Sequence, residues 1–316
     1  MHSPTVTPID TNENGFMQPV CVMVFNANDP SGAGGLAADI SAIASVGGHA
    51  LPVVTGAYAR DTAEIFDHFS LDVDAVNAQA RAALEDMTIQ VIKVGFVGTP
   101  DNLGAVAGVA ADYPEIPLIA YMPNLSWWDE RHIDQYHDAF KELILPQATV
   151  LVGNHSTLWR WLLPDWSTES RPSPRDIARA AQALGVPYTL ITGIALPDDF
   201  IDNVLATPEA VLASEKFERF EAVFSGAGDT LSTAFAALLA TGCELADALH
   251  EALSYLDRCL EGGFQPGMGH VVPDRLFWAQ PNDEQEPSSD SEHTDTPDSP
   301  LFTARALEIK TNDTQH

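Results

Sequence analysis

Residues 20–48, VCVMVFNANDPSGAGGLAADISAIASVGG, decide the architecture. Residues 20–25 form an apolar run of strand length, as expected of a strand buried on both faces. A Gly-rich turn follows at 29–35, and then Leu36, Ile40 and Ile43 recur at helical spacing until Gly47 and Gly48 stop the helix. The same alternation continues outward. Strand candidates are 51–54, 89–96, 116–121, 149–152 and 188–191. Helical faces carry Val73, Val76, Ala80 and Leu84, then Ile177, Ala181 and Leu184, the latter opened by Ser173 and Pro174 and closed by Gly185. Strands alternating with helices predict an α/β fold whose parallel sheet is covered by helices on both faces. The sequence shows no internal repeat and no linker inside residues 20–280, so one domain is expected there.

The flanks differ in composition. Residues 1–19 are polar, contain three prolines and carry no Lys or Arg, which reads as a flexible leader rather than a secretory signal. Residues 281–316 hold nine acidic residues against two basic ones, among Ser, Thr and Pro, and read as an acidic disordered tail. Across the 316 residues, 45 acidic side chains face 15 basic ones, for a net charge of -30. Such a surface repels phosphate backbones and anionic lipid, so neither nucleic acid nor membrane is expected as a partner. Cys21, Cys243 and Cys259 are too scattered for a disulfide framework or a zinc site, and a cytoplasmic location is expected.

In parallel α/β sheets, ligands bind where strands end and helices begin. The strongest such junction is FSGAGDT at 224–230, followed by Leu231, Phe235, Leu238 and Leu239 on one helical face. Gly226 and Gly228 let successive N–H groups converge, and the helix N-terminus adds its dipole behind them. That arrangement suits charge developing on a transferring phosphoryl group, with Asp229 positioned to take a proton from a hydroxyl. A helix merely capped by Gly and Asp is the plainer alternative. The second junction, NANDPSGAGG at 26–35, permits close approach of a small ligand, with Asp39 one turn into the helix behind it; a tight turn with a surface Asp is the plainer alternative there. No Gly precedes any of the four lysines, so a Walker A loop is absent. Trp127, Trp128, Asp129 and Glu130 with His132 and His137 read as an aromatic-anchored surface loop rather than a metal site, because the two histidines are five apart.

Together these segments resemble the hydroxymethylpyrimidine/phosphomethylpyrimidine kinases of the ribokinase-like superfamily. The resemblance is carried by VFNANDPSGAGGLAADISAIASVGGHA (24–50), VVTGAYARDT (53–62), IKVGFVG (92–98), ILPQATVLVGN (144–154), FSGAGDTLSTAFAALLATG (224–242) and QPGMGH (265–270). It implies a ribokinase-like three-layer fold, mostly parallel, and ATP- and Mg2+-dependent phosphorylation of a pyrimidine hydroxymethyl group in thiamine biosynthesis. It also points to a homodimer. Carried over by position, Asp229 is the base and Gly226, Ala227 and Gly228 form the anion hole. Gly34, Asp39, Val54, Arg60 and Phe96 line the substrate side, while Asn154, Thr192 and Gly193 lie on the nucleotide side. No metal ligand is assigned.

The chain departs from the family pattern at several of these places. Asp229 stands where the pyrimidine kinases often have Cys, Phe96 where Met is common, and Arg60 where they have Gln. Met122 replaces the Asp of an Asp-Pro pair, Thr157 a Glu that helps hold magnesium, and Thr192 a Lys that meets nucleotide phosphate. Losing a carboxylate and a cation removes charge neutralisation on which phosphoryl transfer relies. Two alternatives therefore accompany the kinase reading: a catalytically weakened, ligand-binding relative, and a pyridoxal-type kinase. Lys93, inside an apolar strand, is expected to snorkel or to pair structurally.

Overall fold

The computed structural model describes residues 18–279. The expected acidic tail and, apart from Gln18 and Pro19, the expected leader lie outside the described residues. The chain runs β1 (Cys21–Asn28), α1 (Gly35–Ser45), β2 (His49–Arg60), β3 (Ile65–Ser70), α2 (Val73–Asp86), β4 (Val91–Val94) and α3 (Pro100–Asp112). It continues with β5 (Leu118–Met122), α4 (Glu130–Ala139), β6 (Val150–Asn154), α5 (His155–Leu162), α6 (Pro174–Gln182) and β7 (Tyr188–Ala195). Two further strands, β8 (Phe200–Ala206) and β9 (Val211–Glu218), precede α7 (Ala227–Ala240) and α8 (Leu245–Glu261).

Nine strands form one sheet in the order β3-β2-β1-β4-β5-β6-β7-β8-β9. The six from β2 to β7 are parallel, as the alternation predicts. The edges differ, because β3, β8 and β9 join antiparallel. Antiparallel edge strands need only one buried face, and β9 (VLASEKFE) alternates exposed and half-buried positions accordingly. Helices α1, α7 and α8 cover one face through Leu36, Ile43, Leu231, Phe235, Leu249 and Leu253. Helices α2 to α6 cover the other through Val76, Leu103, Val106, Tyr136, Leu158 and Ile177.

Strand parity makes this three-layer arrangement and also aims the site. In β1, Met23 and Phe25 enter the α2–α6 layer, while Val22 and Val24 enter the α1/α7/α8 layer. Each such fully buried side chain stabilises the fold by about 1.5–3 kcal/mol. Helix starts follow side-chain capping: Asp72 accepts from the Ala75 N–H, Thr99 from the Asn102 N–H, and Ser173 with Asp176 forms a reciprocal capping box. Among the described residues no helix is long and apolar enough to cross a membrane.

Candidate active site

The parity that places Val22 and Val24 against α1 and α7 carries the next alternate residue, Asn26, to the same face. In β4 and β5 it does so for Lys93, two residues after Val91, and for Tyr121, two after Ile119. Three polar side chains near the C-terminal ends of parallel strands thus meet the start of α7. Gly226 caps that helix at φ +87°, in the left-handed region. A Cβ there would run into the Ala33 carbonyl, and one on Gly228 would run into the Tyr121 hydroxyl. The loop before α7 is therefore pressed between the 29–35 turn and β5. Arg275, almost fully buried, fastens the two loops: its Nε donates to Thr230 Oγ1 at 2.8 Å and its Nη1 and Nη2 donate to the carbonyls of Gly32 and Ala33.

Asp229 sits at the boundary between this interior and solvent, with 19% of its side chain exposed. Its Oδ1 accepts from Asn26 Nδ2 at 3.0 Å and from Lys93 Nζ at 3.2 Å, and its Oδ2 accepts from the Gly35 N–H at 3.3 Å. Behind it, the wholly buried Asp39 accepts from Asn26 Nδ2 at 2.8 Å, from Lys93 Nζ at 2.8 Å and from the Thr233 hydroxyl. The Asn26 side-chain oxygen Oδ1 accepts in turn from the N–H groups of Ala27 and Phe96. Burial would lower the Lys93 pKa, but the Asp39 and Asp229 carboxylates outweigh it and hold the ammonium above its ordinary value. Burial raises Asp39 above the usual carboxylate range; Lys93 opposes that shift and the charge of Asp229 adds to it. Gly226, Ala227, Gly228 and Asp229 all remain half-exposed at the mouth of this network.

The predicted substrate-side residues separate into those that meet Asp229 and those that do not. Gly34 adjoins it: a Cβ there would lie 3.0 Å from Asp229 Oδ2, and the Gly34 N–H donates to Asp29 Oδ2 at 2.8 Å. Arg60 reaches across the mouth, donating to Asp29 Oδ2 at 3.1 Å and to Ser225 Oγ at 2.8 Å. Phe96 is buried, stacked on Tyr58 at 5.7 Å between ring centres, with His68, Trp127, Trp128 and Tyr136 around it. The 127–132 loop is thus anchored by its tryptophans, and His132 pairs with Asp129. Among the described residues no cluster of three or more His, Cys, Asp or Glu could hold a metal. Val54 pairs with Asn26 in the β1–β2 register; its backbone is clamped by Gln79 of α2 and its side chain packs, half-buried, into the α1/α7/α8 layer. The same β2 strand brings Tyr58 and Arg60 to the mouth. Asp39 is enclosed rather than open to a pocket, because three donors and the packed α7 surround it.

On the nucleotide side, Asn154 caps α5 by accepting from the Ser156 N–H at 3.0 Å. Gly193 adopts φ +65°, and a Cβ on it would collide with the Asn154 amide. Its N–H donates to Asn203 Oδ1 at 3.0 Å, while the Thr192 hydroxyl donates to the Gly153 carbonyl at 3.4 Å. Thr157 faces a cleft of about 740 Å³ between α4 and α5, lined also by Asn124, His137, Lys141, Arg160 and Trp161. Met122 is buried in the core. The position expected to help hold magnesium thus presents a hydroxyl in place of a carboxylate, a neutral group that does not fit a protein-held Mg2+.

Sequence reasoning placed Asn26 in the second junction without assigning it a role, missed Tyr121, and expected Lys93 only to snorkel or to pair structurally. A usable signal existed, since each is a single polar residue at an α1/α7-facing position of an otherwise apolar strand. The phosphomethylpyrimidine kinase family model matches residues 29–274. The hydroxymethylpyrimidine/phosphomethylpyrimidine kinase of Streptomyces coelicolor is 25% identical over 262 residues, covering 83% of this chain and 96% of its own. Its counterpart in Mycobacterium tuberculosis is 28% identical over 267 residues, covering 83% and 95%. Among solved structures, an ADP complex of Bacillus subtilis pyridoxal kinase matches at TM-score 0.72 and 21% identity, over 83% of this chain and 99% of that one. The phosphomethylpyrimidine kinase of Clostridium difficile matches at TM-score 0.60 and 18% identity, over 75% and 99%. These structural likenesses bear out the ribokinase-like fold.

Proposed function

The chain belongs to the phosphomethylpyrimidine kinase family, a family of phosphotransferases, and from that premise we propose that it phosphorylates the hydroxymethyl group of a pyrimidine with ATP. Hydroxymethylpyrimidine is the proposed acceptor, its monophosphate a second one, and thiamine synthesis the proposed setting. The observation that carries this reading is the split environment of Asp229. One carboxylate oxygen is held by Asn26 and Lys93, while the other has only the Gly35 N–H at 3.3 Å, beside half-exposed backbone of 226–228.

In the proposed reaction Asp229 Oδ2 takes the hydroxyl proton as the substrate oxygen bonds to the γ-phosphorus. The bond from that phosphorus to the bridging oxygen breaks, and ADP leaves with the electron pair. The amides of Gly226, Ala227 and Gly228 stabilise the charge on the transferring group. Gly34 and Arg60 border the acceptor, and the half-buried Tyr58 ring lies on their side of the mouth with Phe96 packed behind it. Asn154, Thr192 and Gly193 border the nucleotide. The side chains there are neutral, so a magnesium ion would be held chiefly by the nucleotide's own phosphates. A homodimer and a cytoplasmic location complete the proposal.

That neutral nucleotide side favours a second reading, a relative that binds its ligand but turns it over weakly. ATP consumption by the full chain, measured with hydroxymethylpyrimidine and with pyridoxal, with and without Mg2+, separates the two. Turnover with hydroxymethylpyrimidine is the expected result. No turnover with either acceptor, alongside retained binding, would reject the kinase reading and leave the second. Turnover confined to pyridoxal would reassign the acceptor.

A further inference from the structure

Two carboxylates share one ammonium beneath the mouth of the site. Lys93 Nζ lies 2.8 Å from Asp39 Oδ1 and 3.2 Å from Asp229 Oδ1, and Asn26 Nδ2 bridges the same pair at 2.8 and 3.0 Å. The Lys93 and Asp39 side chains are fully enclosed, so water screens little of the charge between them. Asp39 has no surface open to a substrate. Its contacts instead run to Lys93, Asn26 and Thr233, and the first two of these also hold Asp229.

We propose that Asp39, Lys93 and Asn26 are positioning residues that set the base strength and orientation of Asp229 without touching the substrate. The proposal rests on Asp229 being the base in the reaction above. The negative charge of Asp39 strengthens the base, the ammonium of Lys93 restrains it, and Lys93 with Asn26 fixes Oδ1 so that Oδ2 is left to the reacting hydroxyl. The device belongs to a site with Asp at position 229, where the interior must manage a second negative charge.

The remaining titratable and charged groups near Asp229 are already committed. Tyr58 of β2 and Tyr121 of β5 stay protonated, because burial first and the charge of Asp229 second raise both above the ordinary phenol value. Arg275 gives its donors to Thr230, Gly32 and Ala33. Arg60 is paired with Asp29. The buried Arg275 charge also interacts with Asp229 and Asp39, but Lys93 and Asp39 are the charged groups inside the hydrogen-bond network that holds the base.

The test is a carbon-13 NMR titration of the full chain labelled at aspartate carboxyls, with the Asp229 signal identified by its loss in Asp229→Asn. In Asp39→Asn, a neutral variant of the same shape, the Asp229 midpoint should fall, because a neighbouring negative charge is removed. In Lys93→Met it should rise, and the acid limb of the kcat/KM profile should move in the same opposed directions. Purely structural roles would lower stability or activity but leave the midpoint in place. An unmoved midpoint in folded Asp39→Asn, or movement of both variants in one direction, would overturn the proposal. If Lys93→Met does not fold, Asp39→Asn alone decides. The titration needs no substrate, so an inactive chain would count against the proposed reaction without deciding the tuning.

Discussion

At the α1–α7 junction, Asn26, Asp39, Lys93, Thr233 and Asp229 bond to one another through buried contacts, whereas at the β6–β7 junction Asn154, Thr157 and Thr192 present only neutral groups. The first junction carries its own charges, prearranged to hold one carboxylate at the surface. The second binds mainly its neighbours' backbone at these three positions, and the charges lining its cleft, Glu130, Asp134, Asp138, Lys141 and Arg160, come from the helical segments beside it. Phosphoryl transfer needs a placed base and neutralised phosphates. This chain builds the first need into its interior and leaves the second to the nucleotide.

The contrast can be broken most directly through stability. Lys93→Met leaves the buried Asp39 and the half-exposed Asp229 without their cation and should cost about 3–5 kcal/mol, even though it removes a charge from the core. Thr192→Val removes one long hydroxyl contact and should cost no more than about 1 kcal/mol. Urea unfolding of both variants measures this, and equal losses would dissolve the distinction between the two junctions.

How far the sequence foretold these regions follows from where their polar atoms lie. β1 was legible because both its faces are apolar through Phe25, and α6 because Ser173, Pro174 and Gly185 mark its ends. β8 and β9 were not: β9 is a half-exposed edge strand without a continuous apolar run, and Asp202 and Asn203 interrupt the apolar residues of β8. Asp229 and its glycines declared themselves by clustering in seven residues. Asn26, Lys93 and Tyr121 are spread over 96 positions and meet only when parallel register stacks β1, β4 and β5. β2 also runs on to Arg60, farther than its apolar core suggested, so Tyr58 and Arg60 reach the mouth beyond Val54, which pairs with Asn26.

A smaller effect sharpens the comparison from the nucleotide side. Restoring charge with Thr157→Glu and Thr192→Lys together should raise kcat/KM for ATP by about tenfold, since a placed cation and a metal-organising carboxylate would then serve the phosphates. Steady-state kinetics at varied ATP reads this out. An unchanged value would mean that the phosphates do not pass between α5 and β7.

The most direct measurement compares ADP release by the unaltered chain and by Asp229→Asn with hydroxymethylpyrimidine and ATP, with acceptor binding followed in parallel by calorimetry. The account predicts a loss of about a hundredfold or more in kcat with binding retained, the usual scale of a removed general base. Turnover within tenfold of the unaltered chain would contradict it.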